Sequence, residues 1–126
     1  MRLLLIIIPV FVFGNNLFCQ DTVVKQIKTE GIASFYAKKF NGRKTSSGER
    51  FNNDSLTAAH TTLKFGTYIK VRNLKNDSVV IVKVNDRLPQ RSKRSVDLTL
   101  RAAKQLNFVK SGLTKVEITV LDTLKH

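Results

Sequence analysis

Only nine carboxylates stand against 22 lysines and arginines in this 126-residue chain, so the placing of each acid is informative. Asp21, Glu30, Asp77, Glu117 and Asp122 fall in a polar stretch, a turn or the outward positions of a strand, where solvation accounts for them. Glu49 follows a glycine in TSSGER, on a loop, and a loop carboxylate is not needed for folding. Asp86 ends the apolar run SVVIVKV and is followed at once by Arg87. Burial beside a core strand raises a carboxyl pKa, and a neighbouring guanidinium lowers it. Opposed influences of that kind prepare a carboxyl group for general acid catalysis. The alternative for Asp86 is a structural ion pair with Arg87 at a rim, and for Glu49 a solvated charge. Asp97 suits a helix N-cap, a role contributing about 1 kcal/mol. Asp54 suits an Asx-turn with Ser55 and Leu56.

Other chemistries fit less well. His60 lies in TAAHTTL, and the only other histidine is His126. With one cysteine, Cys19, no zinc-ligand spacing arises and no metal is expected. Ser46 and Ser47 lack an evident base and orienter, and no phosphate-binding glycine loop occurs, so no cofactor is expected. The formal net charge of +13 points to an anionic wall polymer or membrane surface as partner, or to a solubilising surface. Nucleic acid is not the expected partner, because no RNA-binding aromatic signature or zinc-finger spacing is present.

The elements that must hold these residues follow from periodicity. In GIASFYAKKF, Ile32, Ser34 and Tyr36 alternate with Ala33, Phe35 and Ala37, which predicts a strand. Asn41 to Asp54 is a long polar loop with Gly42 and Gly48, and loops of such length in compact domains are functional or disordered. YIKVRNL and SVVIVKV, joined by KND, predict a β-hairpin. DLTLRAAKQLNFVKSG predicts the one helix, with Asp97 or Thr99 as cap, Leu98, Ala102 and Leu106 on one face, and Gly112 beyond its end. KVEITVL predicts a final strand with Val116, Ile118 and Val120 inward. Five or six strands and one helix point to a small β-barrel.

Residues 1–19 have a secretory layout: Arg2, an apolar stretch from Leu3 to Phe13, then Gly14-Asn15-Asn16. Eleven apolar residues are too few to cross a bilayer, which takes about 20. Phe18 precedes Cys19 where a lipidation site carries a small residue, so cleavage near Cys19-Gln20 is expected over lipid attachment. The expected division is a signal segment at 1–19, a linker at 20–30, the domain at 31–122 and a tail at 123–126. Export to the periplasm or cell envelope follows. Without Arg2 the chain retains 21 basic and 9 acidic residues, a net charge of +12, and no disulfide.

Four segments in order, GIASFYAKKFNGRKTSSGERFN, LTAAHTTLKFGTYIKVRNL, VVIVKVNDRLPQ and SVDLTLRAAKQL, resemble the rare lipoprotein A family. The resemblance covers Gly31 to Leu121 and rests on GRKTxxGE, TAAH and NDRxP together. It implies a six-stranded double-psi β-barrel with one or two short helices. It also implies lytic transglycosylase activity on peptidoglycan glycan strands, with cell-division proteins as candidate partners and a monomeric state. On the matching positions it implies catalytic roles for Glu49 and Asp86. His60, Tyr36, Lys44, Thr57, Asn85 and Arg87 would bind substrate or support the site. The chain has Phe35-Tyr36-Ala37 where the family carries Trp-Tyr-Gly, and Leu88-Pro89-Gln90 where it carries Gly-Pro-Phe. The second change is expected to narrow the groove or weaken sugar stacking beside Asp86. A non-catalytic, expansin-like wall-binding module and a hydrolase with the same acidic pair are the alternative functions.

Overall fold

The computed structural model describes residues 27–121. The expected signal segment, Cys19 and the expected tail at 123–126 lie outside the described residues. Six strands form: β1 (Lys28–Phe35), β2 (Thr57–His60), β3 (Tyr68–Asn73), β4 (Val79–Arg87), β5 (Val96–Leu98) and β6 (Thr114–Leu121). One short helix, α1 (Leu100–Gln105), and a 3-10 turn at Lys38–Phe40 complete the described elements.

The strands close in the order β1-β5-β2-β4-β3-β6. The β1–β5 and β2–β4 pairs are parallel and the other four are antiparallel. This mixed, closed six-stranded sheet is the double-psi β-barrel expected from the resemblance. Closure pairs both edges of every strand, which leaves no sheet edge open to solvent.

Period-2 alternation explains which residues fill it. Ile69 and Val71 of β3, Val80, Val82 and Val84 of β4, and Val116 and Ile118 of β6 are buried together with Leu98, Leu106 and Phe108. The run SVVIVKV reads as continuously apolar, yet only alternate members are inside, and Val79 and Ile81 are 45% and 47% exposed. The hairpin is present, with Ile69 opposite Val82 and Val71 opposite Val80.

Several local expectations are settled or corrected. β1 starts inside the stretch read as linker, because Lys28, Thr29 and Glu30 pair with Thr119, Ile118 and Glu117 of β6. Polar residues are tolerated there since the outward face of a barrel strand is wet. The helix is capped by Thr99, whose Oγ1 accepts from the Ala102 amide at 3.2 Å, while Asp97 belongs to β5. It ends after six residues, and Asn107 then takes a positive φ of 60°. Asp54 makes no Asx-turn of its own; Asn52 does, accepting from the Asp54 amide at 2.8 Å. Glu117 is also more than a solvated charge, since it pairs with Arg72 at 3.3 Å. At Gly31 a Cβ would meet Ser95 Oγ at 1.9 Å, so the close packing of β1 against the segment before β5 requires glycine.

Candidate active site

The loop from Asn41 to Asp54 folds into a tight hairpin against the end of β4. Lys44 and Arg50 form an isolated antiparallel bridge. The Thr45 amide donates to the Glu49 carbonyl, and the Gly48 amide to the Thr45 carbonyl, at 2.8 and 3.0 Å. Gly48 supplies the positive φ of 94° that this turn needs. Phe51 is the hairpin's anchor. Its ring is buried and packs on Tyr36 at 4.2 Å between centroids.

A β-bulge aims the strand residues at this hairpin. Ala58 of β2 pairs with Val84, but Ala59 pairs with Asp86, so Asn85 is the extra residue. A bulge re-aims side chains locally, and here consecutive residues both address the loop. Asn85 Nδ2 donates to Glu49 Oε1 at 3.0 Å, and the Ser46 amide donates to Asp86 Oδ1 at 2.9 Å. Lys83, two residues before Asn85, reaches Glu49 Oε2 at 3.1 Å. Glu49 and Asp86, 37 positions apart, are thus joined to one hairpin–strand junction.

Asp86 accepts three hydrogen bonds: from the Tyr36 hydroxyl on Oδ2 at 2.5 Å, and from the Ser46 and Arg87 amides on Oδ1, each at 2.9 Å. Partial burial pushes its pKa up, but these donors stabilise the carboxylate and hold it below the usual value overall. Burial, and next the bond to Asp86, push the Tyr36 phenol well above its ordinary range. Glu49 is also lowered, first by the Asn85 amide and then by Lys83. Replacing Tyr36 by Phe removes a donor that favours the charged form. The expected result is a higher Asp86 pKa, read from the NMR titration of its carboxyl carbon. An unchanged or lower midpoint would show that the phenol does not hold this charge.

Arg87 does not pair with Asp86. Its Nη1 donates to the His60 and Leu63 carbonyls at 3.1 and 2.7 Å, and its guanidinium lies over Phe65 at 4.5 Å. The rim ion pair, the alternative reading of Asp86, does not form; Arg87 instead clamps the chain after β2, and only its amide serves Asp86. His60 closes the same clamp. Its Nδ1 accepts from the Thr62 and Leu63 amides at 3.1 and 3.2 Å, which assigns the ring proton to Nε2. Burial, reinforced by Arg87, lowers its pKa and keeps it neutral. Leu88 is 6% exposed, and its amide donates to the His60 carbonyl at 3.1 Å. Its side chain is thus buried, outside the main core cluster.

Of the sequence-derived residues, Glu49, Asp86, Asn85 and Tyr36 converge. His60 and Arg87 support the neighbouring chain. Lys44 is exposed on the hairpin, and Thr57 opens β2 with its hydroxyl 3.4 Å from Ser55 Oγ. Sequence reasoning missed Ser46, which acts through its backbone and leaves no side-chain signal. It also missed Lys83, whose period-2 spacing from Asn85 was the available clue. Among the described residues no group of three or more metal-ligating side chains forms, and no helix is long and apolar enough to cross a membrane. A hollow of about 380 Å³ lined by Asn73, Asn107 and Thr114 among others contains no carboxylate, so it does not compete as an acid–base site.

The fold and the junction define a double-psi barrel carrying two carboxylates on a hairpin–strand junction. The family model described as a lytic transglycolase matches residues 28–118, and the chain belongs to that family. It is 45% identical over 106 residues to the probable endolytic peptidoglycan transglycosylase RlpA of Synechocystis, covering 84% of this chain and 33% of that protein. It is 48% identical over 95 residues to the endolytic peptidoglycan transglycosylase RlpA of Pasteurella multocida, covering 74% and 32% respectively. The chain thus spans about a third of the length of these relatives. Among solved structures, a Streptomyces papain inhibitor matches with a TM-score of 0.60 at 18% identity, over 75% of this chain and 96% of that one. An expansin of Clavibacter michiganensis matches with the same score and identity over 75% and 50%. These two likenesses concern the fold.

Proposed function

We propose that the chain is an exported lytic transglycosylase acting on peptidoglycan glycan strands, cleaving the β-1,4 bond between N-acetylmuramic acid and N-acetylglucosamine. The observation that carries this reading is the convergence of Glu49 and Asp86 on one junction, in environments that separate their roles. Asp86 is the more buried and takes its hydrogen bonds from a phenol and two amides. Glu49 is exposed and tied to Lys83 and Asn85. Family membership and the names of the relatives support it.

In the mechanism, Asp86 gives its proton to the glycosidic oxygen as the bond to the muramyl anomeric carbon breaks. The 6-hydroxyl oxygen of the same muramyl residue bonds to that carbon, and its proton returns to Asp86. A 1,6-anhydro end forms and no water is consumed. Asp86 is ionised in the free protein, so it must gain a proton in the complex. A glycan lying over it removes its remaining water, and desolvation raises a carboxyl pKa. Glu49 remains charged and faces the positive charge that develops on the sugar ring. The signal layout at 1–19 supports export to the compartment where this polymer lies.

One observation favours a second reading. Both carboxyls are held ionised in the free protein, which suits a wall-binding module with no turnover. The test is mass spectrometry of purified glycan strands after digestion by the wild-type protein. Anhydro ends are expected. Reducing ends would mean that water attacks, with the same pair acting as acid and base. Retained binding to sacculi with no fragment release would establish the binding module instead.

A further inference from the structure

We propose that Arg94 reads the lactyl carboxylate of the muramyl residue, so that the site distinguishes muramyl glycan from an uncharged N-acetylglucosamine polymer. This rests on the glycan reading above. The starting point is strand register. Ala59 of β2 pairs with Asp86 of β4 on one side and with Asp97 of β5 on the other, and Asp97 pairs with Ser34 of β1. Asp86, Ala59, Asp97 and Ser34 therefore form one row across four strands. Neighbouring strands lie about 4.8 Å apart, which puts the two acids about 10 Å from each other. Ala59, the residue between them in the row, is buried at 1% exposed. The Tyr36 phenol, bonded to Asp86, also feels the charge of Asp97.

Asp97 is occupied on both oxygens. The Ser34 hydroxyl donates to Oδ1. Arg94 grips the carboxylate side-on, with Nε 3.0 Å from Oδ1 and Nη2 3.3 Å from Oδ2. Asp97 is nearly buried, at 13% exposed, whereas Arg94 is 43% exposed. The approach to the guanidinium is fixed by the backbone as well. The Ser92 amide donates to the Pro89 carbonyl at 2.9 Å, the Arg94 amide to Ser92 Oγ at 3.1 Å, and the Ser95 amide to the Ile32 carbonyl at 2.8 Å. Nη1 makes no bond with the described residues, so an oriented donor edge is available to an incoming anion.

An arginine fork held by a carboxylate is pre-organised for planar bidentate recognition of a second carboxylate. A peptide-free glycan strand offers such a group on each muramyl residue, on the C3 ether substituent of the ring whose C1 bond is cut. Of the other cations, Arg87 is committed to the His60 and Leu63 carbonyls, and Lys44 lies on the hairpin, exposed and outside the row of Asp86 and Asp97. Asp97 acts as a positioning residue, and Ser34 fixes Asp97 in turn.

The test is calorimetric titration of the Asp86→Asn protein, which leaves the ligand uncleaved, with two probes. One is a muramyl-containing tetrasaccharide with free lactyl carboxylates, the other an N-acetylglucosamine tetramer. Adding Arg94→Gln is expected to weaken muramyl binding about 10-fold and leave the uncharged tetramer unaffected, the size of a lost charge-assisted hydrogen bond. Arg94→Lys should restore part of the loss, and Asp97→Asn should mimic it. Equal weakening of both probes, or of neither, overturns the assignment of Arg94 alone. Failure of the Arg94-containing protein to bind either probe overturns the glycan reading and this inference with it.

Discussion

Replacing Asp86 by Asn is expected to cut the release of anhydro-ended fragments by about 10²- to 10⁴-fold, the usual contribution of a positioned general acid, with the barrel intact. The hydrogen-bond pattern makes the substitution clean. The two amide donors share Oδ1 and the phenol serves Oδ2. An asparagine places its carbonyl oxygen toward Ser46 and Arg87, and its NH₂ toward Tyr36, whose hydroxyl turns to accept. Shape and bonding survive, and the transferable proton does not. Fragment release is measured by mass spectrometry, with circular dichroism and thermal melting as controls for folding. A folded variant that retains more than about a tenth of wild-type release is incompatible with an acid role of this size.

Phe51→Ala is expected to lower stability by about 3 kcal/mol, the lower end for removing a buried phenylalanine ring. In a domain of this size that corresponds to a melting temperature lower by roughly 12 °C or more. Activity should fall further than stability alone explains. Phe51 joins the hairpin to the barrel through Tyr36, and that hairpin carries both Glu49 and the Ser46 amide. Phe51→Leu should recover much of the melting temperature and less of the turnover, because the aromatic stack on Tyr36 is still lost. A melting temperature within about 2 °C of wild type for the alanine variant would show that the ring is not the anchor.

Much of the barrel was legible in residue order because alternation is a local property. The β3–β4 hairpin and β6 follow from it directly, and Val116 and Ile118 are inside as expected. Val120 is only partly buried, as the closing strand runs out. The parallel pairings were not legible. They join residues distant in the chain, such as Ala58 with Val84 and Ala33 with Val96, and no local signal sets that register. Asp97 shows the consequence. Both it and Thr99 precede the helix and satisfy a capping pattern, and only the pairing with Ala59, which also pairs with Asp86, assigns Asp97 to the row shared with Asp86. Glu49 and Asp86 stood out because acids are scarce here. The third contributor to Asp86, the Ser46 amide, belongs to the backbone, which every residue carries alike.

The two parallel pairs also set a timetable. Tyr36 meets Asp86 across 50 positions of chain, and Ser34 meets Asp97 across 63. Each contact exists only once distant strands have closed on one another, and folds rich in such pairings form over milliseconds to seconds, later than local helices and hairpins. No short segment of this chain holds the phenol, the hairpin amide and the strand-end acid together. Competence at the junction is acquired in one late step, with barrel closure. A chain whose barrel has not closed, though it carries every relevant side chain, presents only dispersed charges.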